Sequence, residues 1–156
     1  MNRHALTRRL RLILIGTALC GLLFYLWMLP YFIQQRYPDD PASMWLCLVL
    51  LWLSALPCYA VLIDGWHIAR RIGNDRSFTE ENARSLRRIS TLAACNAGYI
   101  ALINPILLLC GAWDVMFLML SVIVIFIGVA VSVAAAALSH LVLRAAELQE
   151  QSDLTI

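Results

Sequence analysis

The sequence predicts an all-α fold: a four-helix transmembrane bundle with both termini in the cytoplasm and with helices two, three and four extended beyond the bilayer. Three observations predict it. Of 156 residues, 62% are apolar and 14% charged, against about 45–50% and about 25% in soluble proteins. A chain this small buries only part of its surface, so lipid is the natural solvent for the excess. Four apolar stretches reach the roughly 20 residues that a span needs, at about 12–33, 44–63, 92–111 and 115–143, with a loop over 64–91. The charges then divide the chain between two compartments. All twelve basic residues are arginine, and only Arg36 falls outside the amino terminus, the 64–91 loop and the carboxyl terminus. Such bias places those three regions in the cytoplasm. The expected product is a single multi-pass domain over 1–156 in the inner (cytoplasmic) membrane.

Each element follows from local signals. Arg3, Arg8, Arg9 and Arg11 precede the first span. The span differs from a signal peptide because its apolar run is too long and no small-residue cleavage site follows. The first outer loop is short and acidic, Tyr37-Pro38-Asp39-Asp40-Pro41. Helix two continues through Ile63–Ile72, and Gly73-Asn74-Asp75 stops it with Gly73 in the left-handed conformation. Thr79 caps helix three, and Glu80 and Glu81 suit the positive end of its dipole. Ala83, Leu86, Ile89 and Ala93 recur at helical spacing, with Arg84, Arg87 and Arg88 on other faces, so helices two and three form a projecting amphipathic hairpin. Asn104-Pro105 predicts a kink deep in helix three, where Asn104 satisfies the freed carbonyl or bonds a neighbouring helix. The second outer turn is Ala112-Trp113-Asp114.

The fourth span exceeds the bilayer thickness and must tilt or project. Gly128, Ser132, Ala136 and His140 form a small-residue ladder at intervals of four, suited either to internal packing or to a homo-oligomer. Beyond it, Leu138, Leu141, Val142, Ala145 and Leu148 form one stripe. Trp27, Tyr31, Phe32, Trp45, Trp113 and Phe117 fall near the outer interface and Trp66 near the inner one, as aromatic belts do.

The sequence carries no GxSxG, phosphate-binding glycine loop, HExxH or Rossmann fingerprint, so we expect no enzyme, no catalytic residue and no cofactor. Cys20, Cys47, Cys58, Cys95 and Cys110 lie in apolar stretches without a CxxC pair and read as small buried hydrophobes. Ionisable residues in spans merit a functional hypothesis. Here Asp64, His67, Asn96 and His140 all fall near the inner interface, where one polar layer would suit a divalent metal or a proton relay. In the simpler alternative, Asp64 pairs with an arginine, the histidines sit at the wet interface and no metal binds.

Two stretches are distinctive together. One is Ile63-Asp64-Gly65-Trp66, then Gly73-Asn74-Asp75-Arg76-Ser77-Phe78-Thr79-Glu80-Glu81-Asn82-Ala83 and Leu86-Arg87-Arg88-Ile89. The other is the ending Ala145-Ala146-Glu147-Leu148-Gln149-Glu150-Gln151-Ser152-Asp153-Leu154-Thr155-Ile156. They resemble the bacterial membrane family known as domain of unknown function 2975. The resemblance carries over no activity. Its genes often neighbour those of small helix-turn-helix regulators of the Cro/C1 type, which implies a cytoplasmic partner of that class and no direct nucleic-acid contact. Arg84, Arg87, Arg88, Asp153, Leu154, Thr155 and Ile156 are the candidate partner residues. The tail over 153–156 suits capture by a groove or sheet edge; alternatively it folds back on the Arg84–Arg88 helix. The expected function is a non-enzymatic regulatory or scaffold protein. The alternatives are a membrane-stress or immunity protein, and a small transporter or membrane enzyme using the Asp64, His67 and His140 layer.

Overall fold

A computed structural model describes the backbone over residues 3–73, 79–109 and 115–154, with side chains over 7–73, 79–109 and 115–152. All regular structure in it is helical: α1 (Arg3–Leu23), a π-helical turn (Phe24–Met28), α2 (Leu29–Arg36), α3 (Pro41–Gly73), α4 (Glu80–Leu109) and α5 (Val115–Leu154). Four stretches are long and apolar enough to cross a membrane: Thr7–Arg36, Pro41–Gly73, Glu80–Leu109 and Val115–Ser152. The helices outrun the expected spans. At 1.5 Å per residue, the 33 residues of α3 and 40 of α5 measure about 50 and 60 Å, against a hydrocarbon core of about 30 Å.

The extensive contacts join neighbours in the chain: α1 and α2 to α3, α3 to α4, and α4 to α5, the last pair packing most closely. At one end the four spans also meet, where residues of α2, α3 and α4 share one cluster against which Phe117 of α5 packs. The main hydrophobic cluster, Ile33, Cys47, Leu48, Ile103 and Leu107, lies at the end of the spans that carries Arg36, with Tyr99 and Phe117 packed against it.

Asp40 starts α3. Its Oδ1 accepts the N–H groups of Ala42 at 3.1 Å and Ser43 at 3.2 Å, and Pro41 occupies the first helical position, where no N–H is needed. The Ser43 hydroxyl and these backbone donors hold the Asp40 carboxyl below the ordinary carboxylate range. Thr79 caps α4 as expected, its Oγ1 accepting from Asn82 N at 3.3 Å. Gly73 corrects a sequence expectation. It is the last helical residue of α3, and its φ is outside the left-handed region. A side chain there would meet Thr7 Cγ2 at 3.0 Å, so glycine serves the close approach of α1. Residues 74–78, 110–114, 155 and 156, which include the expected Ala112-Trp113-Asp114 turn, Cys110 and Arg76, lie outside the described residues.

The π-turn has a local cause. Pro30 has no N–H and its ring crowds the carbonyl four residues before it. Leu29 N bonds Phe24 O rather than Tyr25 O, and Pro30 cannot serve Tyr25 O either. The indole of Trp52 on α3 donates to that carbonyl at 3.0 Å. In lipid an unsatisfied carbonyl costs several kcal/mol, so this donor joins α1 to α3 and also completes the turn. Tyr59 OH, which donates to Ala18 O at 3.1 Å, makes a second link between the same helices.

Candidate functional site

The head of the α3–α4 hairpin is fixed by Arg71. Its Nη1 donates to Glu81 O at 3.2 Å, Ser85 Oγ at 3.0 Å and Asn82 Oδ1 at 3.4 Å, and its Nε lies 3.3 Å from Glu81 Oε2. Asn82 beneath it is 2% exposed. Arg71, a donor only, thus ties oxygens of the first turns of α4 to the end of α3 and locks the two helices together. Ala83, Ile89 and Ala93 are buried as expected, while Arg84, Arg87 and Arg88 all lie on the exposed face of α4. Arg84 binds Glu80 at 2.7 Å. Among the described residues nothing pairs with the guanidinium of Arg87.

Arg88 Nε lies 3.4 Å from Asp64 Oδ2. Asp64 is 5% exposed, and that oxygen is buried without a hydrogen bond. The contact is therefore an ion pair in which charge proximity, not hydrogen-bond alignment, offsets the burial of the carboxylate.

Of the four residues expected in one polar layer, Asn96 stands apart. Asn96 Nδ2 donates to Cys58 Sγ at 3.4 Å, eight residues along α4 from the Arg88–Asp64 pair. Ser139 Oγ donates to Ala83 O at 2.7 Å, which sets its neighbour His140 near Ala83. At 1.5 Å per residue the spread from Asn96 to Ala83 is roughly 20 Å. His67 and His140 are exposed. Among the described residues no group of three His, Cys, Asp or Glu side chains could hold a metal. The helical spacing that puts Asp64 and His67 on one face said nothing about the register of α4, and register carries Asn96 away from Asp64.

A polar cluster that the sequence reading missed lies deeper. Tyr25 OH and Ser54 Oγ are 3.3 Å apart, Ser54 donates to Leu51 O at 2.7 Å, and Cys58 and Asn96 stand one turn on. Asn96 Oδ1 is buried without a partner. No periodicity marks these residues, which come from three helices.

The α4–α5 seam is also polar and small. Ala83, Ser90, Ala97 and Asn104 recur every seven residues on α4; Ser121, Gly128, Ala135 and Val142 do so on α5, with Ser132 and Ser139 between. Ser90 and Ser132 hydroxyls are 3.2 Å apart, Ser121 Oγ donates to Asn104 Oδ1 at 3.0 Å, and a Cβ on Gly128 would meet Ala97 Cβ at 3.2 Å. A seven-residue repeat keeps two helices in register as in a left-handed coiled coil. The expected ladder at intervals of four is half right: Gly128 and Ser132 pack on α4, but Ala136 and His140 face outward. Asn104 does bond a neighbouring helix, and its Nδ2 donates to Ile100 O at 3.0 Å, not to the Ala101 carbonyl that Pro105 leaves free. The expected stripe also divides, with Val142 buried and Leu138, Leu141 and Leu148 exposed.

The expected fold-back or capture of the 153–156 tail rests largely on residues outside the described ones. Asp153 and Leu154 continue α5 as helix, because nothing in 144–154 stops it; their side chains, and Thr155 and Ile156 entirely, lie outside the described residues.

Four long apolar helices, joined by interhelical hydrogen bonds and a small-residue seam, define an integral membrane protein with an arginine-bearing hairpin at one end. The chain belongs to the family described as "Protein of unknown function (DUF2975)", whose model matches residues 28–156. It is similar to the uncharacterized membrane protein YoaS of Bacillus subtilis (strain 168), at 23% identity over 160 residues that cover all of both chains. No solved structure matches it.

Proposed function

We propose that this protein is a non-enzymatic membrane scaffold or regulator of the cytoplasmic membrane, whose arginine-bearing hairpin faces the cytoplasm and binds a protein partner there. The arginine distribution supports the orientation. The observation that carries the partner reading is the exposed face of α4, where Arg84, Arg87 and Arg88 stand within two turns on a hairpin already locked by Arg71. Locking matters because a preordered surface loses little entropy on binding. Bidentate guanidinium groups suit acidic side chains, and the end of α5 adds a second element beyond the bilayer. The partner class is a small helix-turn-helix regulator, as the family resemblance implies, and the protein itself makes no nucleic-acid contact.

The test is affinity purification of the full chain from native membranes after crosslinking, beside a variant lacking residues 152–156 and the double variant Arg84→Glu/Arg87→Glu. We expect a helix-turn-helix protein with the full chain and its loss from both variants, while all three insert equally. Equal recovery from all three would remove the proposed surface. The transporter or enzyme alternative has less support, since Asp64 is paired with Arg88 and His67 and His140 are exposed.

A further inference from the structure

At the arginine-rich end, beside the hairpin, α1 and α3 enclose a concavity of about 380 Å³. Its polar lining is Thr7, Arg8 and Arg11, and its apolar lining includes Leu12, Ile15 and Trp66. None of its described lining residues is acidic. The Arg11 guanidinium lies over the Trp66 ring, 5.5 Å from its centroid. Its Nε is buried with no hydrogen-bond partner. Stacking therefore fixes the position of the group while its donors stay uncommitted to any described acceptor. Arg8 is one turn away and exposed. Thr7 is 7% exposed and packs on Gly73, which closes the polar side of the concavity.

We propose that this concavity binds the headgroup of an anionic phospholipid from the adjacent leaflet. Two guanidinium groups provide bidentate donors for a phosphate, and Arg11 is preoriented by Trp66. Leu12 and Ile15 continue along α1 into the hydrocarbon, where a lipid tail lies. A soluble anion would use the arginines but gain nothing from that apolar wall, so charge and apolar surface together point to lipid. The site lies on the α1–α3 side and does not depend on a protein partner for the α4 face.

Native mass spectrometry of the full chain from mixed phosphatidylglycerol and phosphatidylcholine vesicles tests it, with Arg8→Gln and Arg11→Gln, and with Arg11→Lys to keep the charge. Thermal melting checks that each variant is folded. We expect preferential retention of phosphatidylglycerol, reduced roughly fivefold for each arginine neutralised, with Arg11→Lys intermediate because it loses the planar stack. Equal retention of both lipids, or unchanged selectivity in folded Arg11→Gln, overturns the proposal. Complete displacement by millimolar glycerol phosphate also overturns it, since the ligand would then be a soluble phosphate ester.

Discussion

Two side chains hold the membrane part together out of proportion to their size. Trp52 gives a donor to the Tyr25 carbonyl that the π-turn leaves over, on a helix whose most apolar window has no buried residue. Interhelical hydrogen bonds in membranes contribute about 0.6 kcal/mol on average and up to about 1.7. We place this one near the top, because its carbonyl has no helical donor. Trp52→Phe should therefore lower stability by about 1–2 kcal/mol, read as a lower midpoint in a sodium dodecyl sulfate titration followed by circular dichroism; an unchanged midpoint would mean that the Trp52 bond contributes nothing and that helix packing and Tyr59 hold α1. Arg88 plays a different part. Arg88→Gln leaves Asp64 buried without its cation and should cost about 1 kcal/mol, the low end for an uncompensated buried acceptor because the Arg88 side chain is 69% exposed. Adding Asp64→Asn should restore most of the loss. A double variant less stable than Arg88→Gln would show that Asp64 has a further, unrecognised partner.

Among the elements, the α4–α5 pair is where small residues decide the geometry. Gly128 admits Ala97 so closely that a Cβ already meets it at 3.2 Å. Gly128→Leu should overpack the seam and destabilise by about 1–3 kcal/mol, seen in the same titration. Ala136→Leu, on the exposed side, should leave the midpoint within about 0.5 kcal/mol. An oligomer built on the Gly128-Ser132-Ala136 ladder would make Ala136→Leu destabilising as well. The elements themselves were legible: apolar length gave all four spans, and Thr79 followed by two glutamates gave the start of α4. The seam was half legible, because small residues stood out but a repeat of seven on α5 needed its counterpart on α4 to be recognised. The π-turn and the Tyr25–Ser54–Cys58–Asn96 cluster were not legible. They depend on which carbonyl Pro30 strands and on how three helices register, and neither is written in one helix's periodicity. The candidate site was legible as a face, since Arg84, Arg87 and Arg88 are exposed as expected. The lock that stiffens it was not, because nothing near Arg71 in sequence announces partners ten to fourteen residues later.

At the scale of the molecule, the helices carry a division of charge, with most arginines brought to one end. The packing of the helices sets Arg8, Arg11, Arg71, Arg84 and Arg88 around one end of the spans and Arg36 at the other, and helices longer than the hydrocarbon must leave it at one face or both. In the orientation we propose, from positive-inside asymmetry, the long end is in the cytoplasm, and the partner face depends on that placement. The most direct test is thiol labelling of intact cells with an impermeant reagent, on a background without native cysteines, with single cysteines at Asp39, Asn74, Asp114 and Ser152. The account predicts labelling at 39 and 114 from outside, and at 74 and 152 only after the membrane is opened. Labelling of 74 or 152 in intact cells would contradict it.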